Sequence, residues 1–566
     1  MAINRRKQYL QRAILVVGVL VGINILAAYF HTRWDLTAEK RYTLTPATKN
    51  LLRGLDSTVT IEVFLKGDYP ASFRQLAQSS QELLEEFREY GGNRIQFSFQ
   101  NPGQGLPDSS RMAFQQSLVE KGIMPFNMQV QEDANQGYSE KLIFPGALVH
   151  YGSKTVGVNL LKNQGGLNPE AAMNSSESLL EYQFANAIYQ LQQKEPPLLG
   201  YMLGNGELLG AEVYDLLTSM QSSYLLDTLT LQYISYIPKE FDAIVFAKPA
   251  SRFSDEDKLK IDQYVMNGGK VLWFIDELNA SIDSLAHQES FVAFDKDLNL
   301  EDILFRYGVR INQDLVQDMQ SDFVPQVVDR TGQMQPLAFP YFPLLTPTGA
   351  HPIVKNLDLV LSHFASSIDT VKGGNIKKTV LLTTSSNSRS VSSPTEVTWN
   401  SLRVKPNRRD FNKKFLPVAV LLEGEFTSLF RNRLDENTQM AIQKASGRPF
   451  KNNSDSINKM IVVSDADVVT NAFSQKSGPL QMGVNLYDQS MVYANREFLL
   501  NSLAFLTNNA GIMDARNKEL TMRLLNPEKV KQEKSKWQVI CFVVPIGLIL
   551  LFASIFLFIR KRKYEV

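Results

Sequence analysis

Cysteine is all but absent from this chain: its 566 residues include one, Cys541. That residue lies within a C-terminal apolar run, so the body has no disulfide, no thiolate nucleophile and no cysteine-based metal site. Histidine is scarce too. The five histidines (His31, His150, His287, His351 and His363) show no metal-ligand spacing and no HExxH. No GxSxG elbow and no phosphate loop of the GxxxxGKS or GxxxxGKT type occurs. Gly268-Gly269-Lys270 lacks the upstream glycine and enters a strand, which excludes nucleotide hydrolysis in the P-loop manner. Charge of one sign is also missing. A net charge of +1, with 21% charged residues, creates no overall field to draw nucleic acid. No catalytic residue, metal or cofactor is expected. Without disulfides, stability falls to the packed core, which a chain of this length is able to bury.

Long apolar runs are confined to the two ends. Ala13 to Phe30 is apolar apart from Asn24, and Val539 to Ile559 is apolar throughout. Each is close to the roughly 20 residues that a helix needs to cross a bilayer. Arg5, Arg6, Lys7 and Arg12 precede the first run, so the positive-inside bias predicts a cytoplasmic N-terminus. A second span then returns the C-terminus to that side. A cleaved signal peptide is the alternative for the first run, but the run is long and Leu26-Ala27-Ala28 makes a poor cleavage site. Gly18 and Gly22 form a GxxxG pair, and Asn24 offers an interhelical hydrogen bond; these three are the candidate helix-packing residues.

Between the runs, strand and helix patterns alternate. Val59 to Leu65 alternates apolar and polar residues, Phe73 to Tyr90 repeats at near-helical spacing up to Gly91-Gly92, and Ile95 to Phe99 reads as a strand. This β-α-β unit predicts a parallel pair. A further helix over 109–121 and strands near 126–130, 142–151 and 154–160 complete a first α/β domain. A second begins at Leu198. Strands over 199–203, 225–231, 241–246 and 270–275 alternate with helices, predicting a doubly wound parallel sheet. Ser254-Asp255-Glu256-Asp257 is a helix start, with a serine oxygen for free N–H groups and acids at the positive helix end. From about 320 to 412 prolines and a Ser/Thr-rich stretch loosen the pattern, which reads as an insertion with a few strands. Strands return at 418–422 and 460–463.

In open α/β sheets, ligands collect beyond the carboxyl ends of the strands. Four residues there are candidate ligand-binding positions. Asn205 and Glu207 lie in the turn Gly204-Asn205-Gly206-Glu207, whose GxGxxxG spacing differs from the dinucleotide fingerprint. Asp276 (beside Glu277) and Asp465 (in Asp465-Ala466-Asp467) each follow a strand. Such acids suit a cation or a hydroxyl-rich ligand; capping and turn formation explain the same residues without one.

Several segments carry a family likeness. They are Asp35-Leu36-Thr37, Arg41-Tyr42-Thr43-Leu44, Leu83-Leu84-Glu85-Glu86-Phe87, Ile143-Phe144-Pro145-Gly146-Ala147, Leu180 to Ala185, Ile261 to Lys270, Asp302 to Asn312 and Ile376 to Leu382. Across most of its length the chain resembles the GldG family of gliding-motility-associated ABC-transporter substrate-binding or auxiliary proteins, within the broader ABC-transporter auxiliary family. The resemblance implies a non-enzymatic subunit in the cytoplasmic membrane that works with an ABC permease and a separate cytoplasmic ATPase and serves gliding motility and associated secretion. It also implies an intraflagellar-transport-like middle region with a glutamine-amidotransferase-like fold lacking the nucleophile. The chain departs from the family at Asn205, where the glycine turn often carries histidine.

Taken together, these readings predict two extracytoplasmic α/β domains held between N- and C-terminal transmembrane helices. The expected boundaries are a cytoplasmic N-terminus (1–12), a transmembrane helix (13–30), a first α/β domain (31–195) and the first part of the intraflagellar-transport-like domain (196–320). An irregular insertion (321–412), the second part of that domain (413–515), a juxtamembrane segment (516–538), a second transmembrane helix (539–559) and a cytoplasmic tail (560–566) follow. The expected partners are the membrane, the permease and ATPase, and an unknown periplasmic substrate or protein, with no nucleic acid. The alternatives are an extracytoplasmic hydrolase-like enzyme and an anchored ligand-binding receptor.

Overall fold

The computed structural model describes residues 14–22, 43–67, 69–103, 105–131, 138–162, 169–327, 333–403, 406–476, 478–507, 511–517 and 527–564. Asn24 and the rest of the first apolar run beyond 14–22 lie outside them. The chain divides into two units, Met1–Glu519 and Leu520–Val566.

The N-terminal part of the first unit is a four-stranded sheet with helices packed against it. Its elements are α1 (Pro46–Arg53), β1 (Val59–Val63), α2 (Ala71–Gly91), β2 (Ile95–Phe99), β3 (Gly146–Tyr151), β4 (Lys154–Asn159) and α3 (Pro169–Gln192). Strand order is β2-β1-β3-β4. The parallel pair predicted from the β-α-β pattern is present, with Val59 opposite Ile95 and Val63 opposite Phe99. Alternation along β1 buries Val59, Ile61 and Val63 and leaves Thr60 and Glu62 part-exposed, as the two-face geometry of a strand dictates. The core joins Leu76, Leu84 and Phe87 of α2 to Phe184, Ala185 and Ile188 of α3. Ile512, Met513 and Ala515 return from far along the chain to close it.

A larger sheet follows. Its strands are β5 (Leu198–Leu203), β6 (Leu225–Thr230), β7 (Ala243–Ala247), β8 (Lys270–Phe274), β9 (Ser321–Val327), β10 (Met334–Pro347), β11 (Ile376–Thr383), β12 (Pro417–Gly424) and β13 (Asn458–Val463), in the order β9-β10-β11-β12-β13-β8-β7-β5-β6. The five strands β6, β5, β7, β8 and β13 are mutually parallel. Their chain order of second, first, third, fourth and fifth is the flavodoxin-like arrangement, which places a switch point between β5 and β7. The sheet is not parallel throughout, however: β12 pairs antiparallel with β13, and β11, β10 and β9 continue in that sense. The stretch read as an insertion with a few strands thus supplies β9, β10 and β11 of the antiparallel wing, and the strand expected at 418–422 supplies β12.

Both faces of the parallel part are covered. Leu199, Val245, Leu272 and Ile461 face α4 (Tyr214–Gln221) and α7 (Asn495–Thr507). Ile244, Phe246, Trp273 and Val462 face α5 (Asp255–Met266) and α6 (Glu301–Tyr307). Neighbouring residues of one strand enter opposite cores, which is why these strands read as unbroken apolar runs. Phe246 and Trp273 stack at 4.0 Å between ring centroids.

The described residues of the second unit form one long helix, α8 (Pro527–Tyr564), with Pro545 inside it. Its segment Glu533–Arg562 is long and apolar enough to cross a membrane. Residues 14–22 are also helical, with Ile14 to Leu20 exposed, but this piece alone is shorter than a span. A side chain added at Gly18 or Gly22 would meet nothing within 4 Å.

Candidate functional site at the strand ends

The parallel strands finish along one edge, and the loops leaving them carry the candidate residues in two separate groups. The first group is the glycine turn after β5. Gly204 and Gly206 have φ of 120° and 79°, conformations that suit glycine. A Cβ on Gly206 would sit 3.1 Å from the Ala250 methyl, so the turn is pressed against the loop after β7. The Asn205 carbonyl accepts from the Ala250 and Ser251 N–H groups at 2.9 and 2.8 Å. Its own N–H donates to Glu207 Oε2 at 2.7 Å. Asn205 Oδ1 and Glu207 Oε1 are buried without a hydrogen-bond donor among the described residues. Burial pushes the Glu207 carboxyl up to about 7, against the turn's backbone hydrogen bonds and with the Asp257 charge adding to the rise.

The second group gathers Asp276 and Asp465 with partners from distant segments. Lys248 has φ 56° immediately after β7, and its N–H donates to Phe274 O at 3.0 Å. Its ammonium pairs with Asp467 and lies 3.6 Å from Asp276. Lys296 reaches Asp276 at 3.3 Å, and the Ala466 N–H donates to Asp276 Oδ1 at 2.7 Å. Burial works to raise Asp276, but Lys248 and Lys296 outweigh it and hold this carboxyl below its ordinary range. Asp465 accepts from the Ser362 hydroxyl, from the His363 N–H at 2.8 Å and from the Asp467 N–H at 2.8 Å. Full burial, together with the charges of Asp467 and Asp276, pushes Asp465 far above the usual carboxylate range. Burial lowers His363, leaving a neutral ring packed 4.3 Å from Phe342.

Within this cluster Lys248 pairs with Asp276 and Asp467, and Lys296 pairs with Asp276. Such an arrangement ties the loops after β7, β8 and β13 to the segment before α6. The sequence located Asp276 and Asp465 because both follow strands. Lys248, Lys296, Ser362 and His363 carry no local spacing signal, since their partners lie up to 219 residues away.

Next to Asp276, Glu277 enters a third group with Asp295 and Glu301, in which one carboxylate oxygen from each lies within 4.8 Å of the others. Glu277 is 7% exposed, Asp295 part-buried and Glu301 exposed on the first turn of α6. Burial, then repulsion from Glu301 and Asp295, pushes Glu277 up to about 8, and Lys296 offsets part of the rise.

Comparison with known proteins gives the fold and loops a context. A family profile described as an ABC-type uncharacterized transport system matches residues 196–502, more than half of the chain. A second, a domain of unknown function (DUF7088), matches residues 38–150. A protein of Borreliella burgdorferi, described as uncharacterized, is 21% identical over 447 residues, covering 76% of this chain and 80% of that protein. Among solved structures, the IFT52 N-terminal domain aligns over 55% of this chain and 98% of its own, at 12% identity and a TM-score of 0.31. An exo-beta-1,4-mannosidase from Opitutaceae bacterium strain TAV5 aligns over 84% of this chain and 56% of its own, at 10% identity and a TM-score of 0.19. At those scores neither likeness describes this fold. The profile spanning the large sheet does decide the family: the chain belongs to the auxiliary family of ABC-type transport systems.

Proposed function

We propose that this chain is a membrane-anchored, non-catalytic auxiliary subunit whose α/β body binds a substrate or partner for an ABC permease driven by a separate ATPase. The observation that carries the reading is the family match over 196–502, the region that builds the large sheet and its strand-end loops. The strand-end chemistry favours a non-catalytic role, because Asp276 and Asp465 are committed to Lys248, Lys296 and neighbouring donors. The apolar helix Glu533–Arg562 supports membrane attachment. In its full form the proposal has two spans, cytoplasmic termini and a two-domain body in the periplasm, with Gly18, Gly22 and Asn24 packing the first span against the permease. Gliding motility or associated secretion is the process that the resemblance suggests. Any ligand contact through Asn205, Glu207, Asp276 or Asp465 belongs to this proposal as well.

The test is a native pull-down of the tagged, full-length protein from its own membranes in mild detergent. Recovery of a permease and an ATPase in constant ratio is expected. Recovery of the protein alone, under conditions in which other membrane complexes survive, overturns the reading. Gly18→Leu combined with Gly22→Leu is expected to reduce that recovery while the body stays folded.

A further inference from the structure

Glu277, Asp295 and Glu301 reach one point from three places in the chain: the loop after β8, the loop before α6 and the first turn of α6. Acids on a surface often gather without purpose, but Glu277 is different. It is only 7% exposed, and no described residue donates a hydrogen bond to its carboxylate. The nearest cation, Lys296, is already drawn to Asp276 at 3.3 Å. A buried carboxylate without a donor, facing two further carboxylates, is costly unless a proton or a cation occupies the space between them. Asp295 is held in position from behind: Asp297 N–H donates to its Oδ1 at 2.9 Å and Gln313 Nε2 to its Oδ2 at 2.6 Å. Each of those oxygens keeps a second lone pair.

We propose that Glu277, Asp295 and Glu301 form a binding site for a hard divalent cation of calcium size. The donor set is all oxygen, which selects calcium, magnesium or manganese over zinc or copper. Coordination geometry favours calcium, the largest of that set: it accepts irregular shells of six to eight oxygens, whereas magnesium demands near-ideal octahedral geometry and gives up its waters reluctantly. One carboxylate oxygen from each of the three residues lies within 4.8 Å of the others, close enough for small side-chain rotations to bring all three onto one ion. Exposed Glu301 leaves one side open for entry and for the water ligands that complete a six- to eight-coordinate shell. Bound there, the ion would join the loop after β8 to the start of α6, stiffening the wall beside the Lys248–Asp276 cluster.

The test is calorimetric titration of the chelator-stripped, full-length protein in mild detergent, with calcium chloride and then magnesium chloride. Saturable binding of about one calcium per chain is expected, with weaker binding of magnesium and a calcium-dependent rise in melting temperature. Glu277→Gln and, separately, Glu301→Gln are each expected to weaken calcium binding roughly tenfold or more. Because Glu301 is exposed, its variant cannot fail merely by unfolding the core. No saturable calcium binding up to millimolar concentration overturns the site, as does binding that both variants leave unchanged.

Discussion

Glu207 shows how one buried side chain makes the molecule sensitive to pH. In the folded chain its carboxyl is raised from 4.5 to about 7, so between those values the folded state keeps a proton that the unfolded state has lost. Its contribution is thus fully present below about pH 4.5 and falls as pH rises through 7. Glu207→Gln removes the cost of a buried charge, so the variant should be more stable than the parent at pH 8, by about 3 kcal/mol. At pH 4.5 the two should match. Paired denaturation curves at both values check this, and equal stability at pH 8 would contradict it. Position in the chain made Asn205, Glu207, Asp276 and Asp465 legible as strand-end residues. Their division into two groups was not legible. It depends on which loops meet, and Ser362 and His363 arrive from a segment with no pattern pointing to this edge.

At the scale of elements, local signals worked where the stabilising contacts are local. The Ser254 hydroxyl caps α5 by accepting from the Asp257 N–H at 3.1 Å, while the Asp257 carboxylate accepts in return from the Ser254 backbone. Ser254→Ala should cost about 1 kcal/mol, read as a shift in denaturation midpoint. Ser254→Asp should recover most of it, because aspartate supplies another capping oxygen. The sequence offered a few strands in 320–412 and one at 418–422, but not their joining into an antiparallel wing, for the opposite reason. Strand β10 contains Pro336, Pro340, Pro343 and Pro347, which locally read as breaks. It is a strand because β9 on one side and β11 on the other meet it, with a register shift between Ser321 and Phe323. Such pairing is settled over long sequence separations, which no short window contains.

At the largest scale, the two sheets of the first unit are tied together by a segment that sequence patterning leaves featureless. Residues 512–515 follow α7 of the large sheet yet complete the core of the N-terminal sheet. Arg516 adds hydrogen bonds to Pro352 O at 2.8 Å and Lys355 O at 3.1 Å and lies over the Tyr182 ring at 4.9 Å. Ile512 is 1% exposed, and Ile512→Asp should lower stability by about 3 kcal/mol or more, as for an unpaired charge placed in a core. Hydrogen exchange should show lost protection in α1 and α3 before β7 and β8. Uniform loss across both sheets would mean that they unfold as one.

The same return of the chain decides how the body handles mechanical load. Ala47 near the start of α1 and Gly511 at the head of the returning segment are neighbours. The polypeptide therefore enters and leaves the body through a single joint. Tension applied at those two points is taken up across the joint itself, by the packing of α1 against residues 511–515. A pull along the chain would load this one contact before it reached the large sheet.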